Sequence, residues 1–284
     1  MFWERWMDNR AVRFVCLLVR RYLRHGVGIQ SAALAFYLLF MIFPFLIFIS
    51  ALLGQLHLDV AEILAALGEL LPREVVELIG RYLRHVGEHA SVRLLTFGLA
   101  FSVYFPMRAT NALLRSVRTA YHLGPPRQGI GHWLRTLLYT LVLIGAITLT
   151  LTAMTVGERL LEWSWSRLSL PAALAELWVW LRFPAAVGAG FCALGFLYAL
   201  AQDHRRPWRE LWPGTAASLL VWVGLSWVYA LYVENFADYS LLYGSIGAVI
   251  VLLVWLYLSA VALIMGAEVN GVLIALRRER KTAC

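Results

Sequence analysis

Glu268 is the residue with the most to explain. It sits inside an apolar run from Tyr243 to Leu276, where an ionised carboxylate facing lipid costs roughly 3 kcal/mol. Asn270 follows on the same run, a second run (Leu94–Leu114) carries Arg108 and Asn111, and Gln30 lies just before a third, Ala32–Gly54. Polar and ionisable groups in such places bind protons, ions or lipid headgroups, or they pin helices together. The expectation is that Gln30, Arg108, Asn111, Glu268 and Asn270 form one polar cluster, with Arg108 and Glu268 as its ion pair. A helix-pinning salt bridge, or an arginine reaching out to the headgroups, is the competing account of the same residues.

Two further constellations carry chemistry. Glu234, Asp238, Tyr239, Tyr243, Gly244 and Ser245 crowd one turn, with two acids and no base. That suits a cation or the headgroup of an amphiphile, and a solvated turn is the plain alternative. His85-x-x-Glu88-His89 matches the inverted zinc-protease pattern. Its spacing puts both imidazoles on one helical face, and Glu158 or Glu162 offers a third ligand. Gly87 weakens a helix there, and no protease scaffold surrounds it. Zinc hydrolysis is therefore a remote alternative, and the sequence assigns no catalytic residue, no metal and no cofactor.

The elements that must position these residues are membrane helices. Hydrophobic residues make up 61% of the 284 and charged residues 15%, outside the usual soluble range. Six apolar runs stand out, at about 32–54, 94–114, 133–156, 180–201, 211–233 and 243–276. A bilayer's hydrocarbon core needs about 20 apolar residues per helical span, and unsatisfied backbone groups in lipid require those spans to be helical. The predicted fold is an all-α integral membrane protein, a single polytopic domain over residues 1–284.

Charge orients it. The N-terminal segment, the loops after the second and fourth runs, and the tail together hold 17 of the 25 basic residues and five acids. The other loops hold six basic residues and eleven acids. Positive charge stays cytoplasmic in short loops, so both termini are expected inside. The net charge of +8 follows from this asymmetry and implies contact with anionic headgroups, not nucleic acid. Cys16, Cys192 and Cys284 all avoid the outer side, so no disulfide is expected.

Finer features follow. Residues 2–25 alternate apolar positions with arginines at helical spacing, which reads as an amphipathic helix on the cytoplasmic leaflet or an extension of the first span. The first outer loop carries two more amphipathic stretches, Asp59–Leu71 and Arg73–Val86. Pro44, Pro106 and Pro184 lie inside spans, where proline kinks a helix. The last run is long enough that it must tilt, break near Gly266 or extend into the cytoplasm, and Gly244/Ala248 and Ala262/Gly266 allow close helix approach.

The first span, Ser31-Ala-Ala-Leu-Ala-Phe-Tyr followed by Phe43-Pro44, resembles the opening signature of the YihY/BrkB family of bacterial inner-membrane proteins. The last run resembles its closing signature: Tyr239-x-x-x-Tyr243-Gly244-Ser245, then Trp255-x-Tyr257, then Gly266-Ala267-Glu268. Asn111 resembles a family asparagine in the second span, whereas Arg108 matches no family position. The resemblance implies a six-spanning inner-membrane protein whose relatives have been linked to serum resistance and to envelope lipid movement. An older ribonuclease BN label implies RNA cleavage, but the short, arginine-dominated cytoplasmic loops hold no acid/base or metal constellation for it. The functional expectation is transporter-like handling of lipid or another amphiphile. A non-transporting membrane scaffold is the alternative. Partners are membrane lipids, and an envelope protein or a second copy of the chain.

Overall fold

The computed structural model describes residues 10–56, 91–124, 129–145, 173–202, 207–235 and 239–282, with isolated positions at 64, 76, 80 and 81. Asp59–Leu71, Arg73–Val86, the His85/Glu88/His89 pattern, Glu158 and Glu162 lie outside the described residues or at those isolated positions. Among the described residues every regular element is helical. These elements are α1 (Arg10–Arg24), α2 (Val27–Leu56), α3 (Val92–Ala120), α4 (Ile130–Gly145), α5 (Ala173–Leu200), a 3-10 turn (Trp208–Glu210), α6 (Trp212–Asn235) and α7 (Tyr239–Thr282).

Each of the six apolar runs falls on one of these helices where it is described. Among the described residues three stretches are long and apolar enough to cross a membrane: Val27–Phe48, Trp212–Val233 and Val249–Glu279. Of the six spans expected from hydropathy, the described residues thus show several long apolar helices, three of them long and apolar enough by themselves. α3 carries Arg93, Arg108, Arg115 and Arg118, the apolar part of α5 is Pro184–Leu200, and α4 is described only over Ile130–Gly145.

Two local signals set helix ends. Gly26 takes φ +61°, a left-handed conformation that glycine adopts without steric cost. His25 N–H donates to Arg21 O at 2.9 Å and Gly26 N–H to Leu23 O at 3.3 Å, which closes α1. α1 is thus a separate helix, and the idea that it simply extends the first span fails at this turn. At the start of α3, Ser91 Oγ accepts the Leu94 N–H, the bond of an N-cap. Pro44, Pro106 and Pro184 each lie inside a helix that continues on both sides. α7 is unbroken at Gly266 and runs for 44 residues, about 66 Å at 1.5 Å per residue.

The chain divides into two compact units, Tyr37–Arg108 and the combination of Met1–Phe36 with Ala109–Cys284. In the smaller unit α2 and α3 pack through aromatic rings, with Phe40 and Phe105 centroids 5.9 Å apart and Phe97, Phe101, Tyr104 and Phe105 in a row along α3. Gly98 lies so close to the Phe48 backbone that a Cβ there would sit 2.6 Å from its nitrogen.

In the larger unit α6 and α7 run antiparallel and are tied along their length. Ser218 Oγ donates to Ala262 O at 3.0 Å, Trp222 Nε1 to Ser259 Oγ at 3.0 Å, and Tyr229 OH to Val251 O at 2.5 Å. Near the start of α6, a Cβ on Gly214 would overlap Gly266 O, and one on Gly266 would lie 2.6 Å from Gly214 O. Such contact between small residues substitutes for the hydrophobic driving force that lipid removes. From α5, the buried Tyr198 hydroxyl donates to Leu263 O at 2.5 Å. The outward side of α6 stays apolar and bare, with Leu220 74% and Trp227 67% exposed. That is the surface a lipid-facing helix presents.

Candidate functional site

The cluster around Glu268 is assembled by α1, the C-terminal end of α3 and α7. Glu268 is 1% exposed. Its Oε1 accepts from His25 Nδ1 at 2.5 Å and its Oε2 from Arg21 Nη1 at 3.3 Å. Arg21 comes from the inner face of α1, and His25 from the turn that ends that helix. Gln30 buttresses the turn by donating from Nε2 to His25 O at 2.6 Å.

Arg21 is the hub. Beyond Glu268, Nη1 donates to Ala120 O at 3.0 Å, and Nη2 reaches Gly271 O at 3.4 Å and His122 Nε2 at 3.1 Å. A guanidinium only donates. His122 Nε2 must therefore carry a lone pair, which makes this imidazole neutral with its proton on Nδ1. Burial first, then the Arg21 and His25 charges, hold His122 below its ordinary value, opposed by Glu268. Its ring meets that of His25 edge-on at 5.6 Å.

The backbone at His122 is itself unusual. It has φ +54°, a left-handed conformation few non-glycine side chains adopt. Leu123 N–H donates to Arg118 O at 2.9 Å and His122 N–H to Thr119 O at 3.0 Å, so the left-handed residue ends α3 and aims the imidazole at Arg21.

Asn270 points to the other side of α7. Its Oδ1 accepts from Gly214 N–H at 2.6 Å, and its Nδ2 donates to Leu211 O at 2.7 Å and Tyr121 OH at 3.0 Å. Consecutive residues Ala120, Tyr121 and His122 thereby link the Glu268 and Asn270 networks. Ser31, next to Gln30, is fully buried, and its hydroxyl has no hydrogen-bond partner among the described residues.

The structure thus brings together three of the five residues expected to cluster, Gln30, Glu268 and Asn270. The other two have different partners. Arg108 donates from Nη2 to Tyr37 OH at 3.1 Å and lies 5.4 Å from that ring's centre, while the partners placed on Glu268 are Arg21 and His25. Asn111 joins a second network between α3 and α4, where its Oδ1 accepts from Thr136 Oγ1 at 3.3 Å and faces His132 Nε2 at 3.1 Å. Thr140 Oγ1 donates to Thr110 Oγ1 at 3.0 Å beside it.

On the far turn, Glu234, Tyr239, Tyr243, Gly244 and Ser245 are placed only as helix backbone, and Asp238 lies outside the described residues. Cys16 and Cys192 are free and exposed. Among the described residues no group of three His, Cys, Asp or Glu is placed to hold a metal.

Sequence reasoning missed Arg21, His25, His122 and Tyr121. It counted Arg21 among the orienting arginines, although its place on the inner face of an amphipathic helix separates it from its neighbours Arg20 and Arg24. Arg118 was counted the same way, yet its Nη1 donates to Ala201 O at 3.0 Å and its Nε to Gly124 O at 2.8 Å.

Residues 18–283 match the family described as Virulence factor BrkB. The chain is 28% identical over 260 residues to a Bacillus subtilis (strain 168) protein named "Putative ribonuclease-like protein YfkH", with 92% of this chain and 94% of that protein covered. It is 27% identical over 276 residues to a UPF0761 membrane protein of Chromohalobacter salexigens, and 24% identical over 283 residues to one of Xanthomonas oryzae pv. oryzae. The alignments cover 93% and 96% of this chain, and it spans 64% of the length of each of these two relatives. No solved structure matches.

Proposed function

The chain belongs to the virulence factor BrkB family of membrane proteins, and from that premise we propose that it is a bacterial inner-membrane protein with six spans that handles lipid or another amphiphile in a transporter-like way. The observation that carries this reading is Glu268, an acid buried inside the longest apolar helix among the described residues. A buried ion pair is a poor way to gain stability, and an intramembrane acid is by default a functional pointer. Arg21 and His25 give it partners from which it can be released. The unpartnered Ser31 hydroxyl adds a second buried group suited to a polar ligand atom. In this reading Asn111 and the Tyr239, Tyr243 and Gly244 region line the same path.

Topology fits the reading. The turn between α1 and α2 and the C-terminal part of α7 meet through His25 and Glu268, and Arg13 pairs with Glu279 at 2.7 Å. A chain that enters and leaves on one face crosses an even number of times. Six crossings satisfy this and three do not. The arginine-rich side is the cytoplasmic one. The reading is non-catalytic, and the ribonuclease-like name stays with the Bacillus protein that bears it. A non-transporting scaffold is the second reading, favoured by the bare outer face of α6, where Leu220 and Trp227 project.

Movement of fluorescent phospholipid across proteoliposomes tests the proposal. Purified protein is expected to accelerate movement above empty vesicles, and Glu268→Gln to lose that gain. Equal movement by both would reduce Glu268 to a structural role. No acceleration with several headgroup classes would favour the scaffold.

A further inference from the structure

α1 has three faces. Phe14, Leu18, Arg21 and His25, at helical spacing, turn toward the protein, and the last two grip Glu268. On the opposite side Val15, Cys16, Val19 and Leu23 form an apolar stripe, and Val15, Val19 and Leu23 are 56%, 54% and 72% exposed. Between the two runs a row of arginines, Arg13, Arg20 and Arg24, all exposed. The helix carries five arginines and no acid. A soluble helix would point its polar side outward, but α1 turns both hydrocarbon and cation away from the protein it packs on. A bilayer surface matches that arrangement, because acyl chains take the stripe and lipid phosphates take the guanidinium row.

We propose that α1 is a charge-sensing clamp: its outer face docks on anionic lipid of the leaflet beside it, and that docking holds Arg21 and His25 on Glu268. The leaflet's identity as cytoplasmic rests on the topology proposed above, whereas the docking does not rest on lipid movement. Each arginine near an anionic surface favours the docked state by about fivefold. Arg13 is already paired with Glu279, so Arg20 and Arg24 carry most of the lipid dependence. Docking and grip are linked, so each strengthens the other by the same factor.

Cys16 is an internal reporter, exposed at the border of the stripe. In a Cys192→Ala, Cys284→Ala background it is labelled with an environment-sensitive fluorophore and reconstituted into phosphatidylcholine bilayers, with or without phosphatidylglycerol. Quenching by a shallow spin-labelled lipid is compared with quenching by aqueous iodide. Docking is expected to give strong lipid quenching and weak iodide quenching with phosphatidylglycerol. The balance should move toward iodide on raising salt, in Arg20→Gln/Arg24→Gln, and in Glu268→Gln. The salt series needs no substitution, so it stands even if a variant folds poorly. Iodide quenching that ignores phosphatidylglycerol and salt would overturn the proposal. So would protection from both quenchers that grows with protein density, which would assign the stripe to a second copy. Docking that Glu268→Gln leaves unchanged would overturn the clamp. None of these readings depends on whether lipid is moved, so failure here and failure of the transport reading are told apart.

Discussion

At the scale of single residues, Glu268 and Arg21 stand or fall together. Removing one partner of a buried pair leaves the other's desolvation uncompensated. Glu268→Ala, which strands Arg21 and His25 at 12% and 10% exposure, is expected to cost about 3 kcal/mol in thermal unfolding of the detergent-solubilised protein. Glu268→Gln keeps an acceptor and should cost less. A double-mutant cycle with Arg21→Gln should show coupling of about 1 kcal/mol or more, and additivity would mean the two do not act as a pair. His122 makes a separate prediction about pH. Its folded value lies below the ordinary one of about 6.5. The unfolded chain therefore takes the proton first as pH falls, so unfolding binds a proton and stability drops on acidification. The contribution is whole above the ordinary value and is lost as pH falls below it toward the folded value. His122→Asn tolerates the left-handed backbone and still accepts from Arg21 but does not titrate, so its melting temperature should fall less between pH 7.5 and 5, values chosen to bracket the ordinary range of about 6.5. An identical fall in both proteins would remove His122 from the acid response. Glu268 and Asn270 were legible as buried polar residues because polar residues in an apolar run are conspicuous. Their partners were not, since Arg21 and Glu268 are 247 positions apart and hydropathy carries no register between distant helices.

At the scale of elements, the α6–α7 pair rests on missing side chains. Ala262/Gly266 was readable as a close-approach motif, and it is where Ser218 and Gly214 meet α7. Gly214 was not readable, because one glycine in an apolar run has no partner until the register is known. Gly214→Ala is expected to destabilise by about 2 kcal/mol through overpacking, since its Cβ would overlap Gly266 O and lie 2.5 Å from the Asn270 side chain. Gly224, on the same helix, meets nothing within 4 Å. Gly224→Ala should therefore be neutral or gain up to about 1 kcal/mol from helix propensity. Equal losses at both positions, compared by thermal unfolding, would show that the close approach is not what makes Gly214 necessary. The break between α1 and α2 was half legible. Gly26 follows a basic helix end, as a C-terminal cap should, but only the +61° backbone separates a docked helix from a longer span.

At the scale of the whole molecule, the decisive quantity is the parity of membrane crossings. Hydropathy and charge suggest six crossings because lipid imposes length and helicity on every span. Length and apolarity of the helices as folded support three without further argument, Val27–Phe48, Trp212–Val233 and Val249–Glu279. The difference lies in α3, α4 and α5. α3 carries Arg108, which is not bare charge: it is bonded to Tyr37 and lies against that ring, a pairing that lowers the cost of placing it at depth. α4 hides Thr136 and Thr140 and bonds their hydroxyls to its own carbonyls, so they cost little in an apolar setting. The contacts of α1 with α7, Arg13 to Glu279 and Arg21 to Glu268, agree with the even count proposed above. Fusing green fluorescent protein or alkaline phosphatase to the C-terminus therefore separates the two counts. With the arginine-rich N-terminal segment inside, six crossings predict fluorescence and no phosphatase activity, and three predict the reverse. Fusions in the loops after α3 and after α5 should behave like the C-terminal one, because each follows an even number of crossings and carries the arginines that hold it inside. If the loop after α3 instead reports outside, α3 does not cross, and Glu268 would have to be reached from a bundle built around α2, α6 and α7.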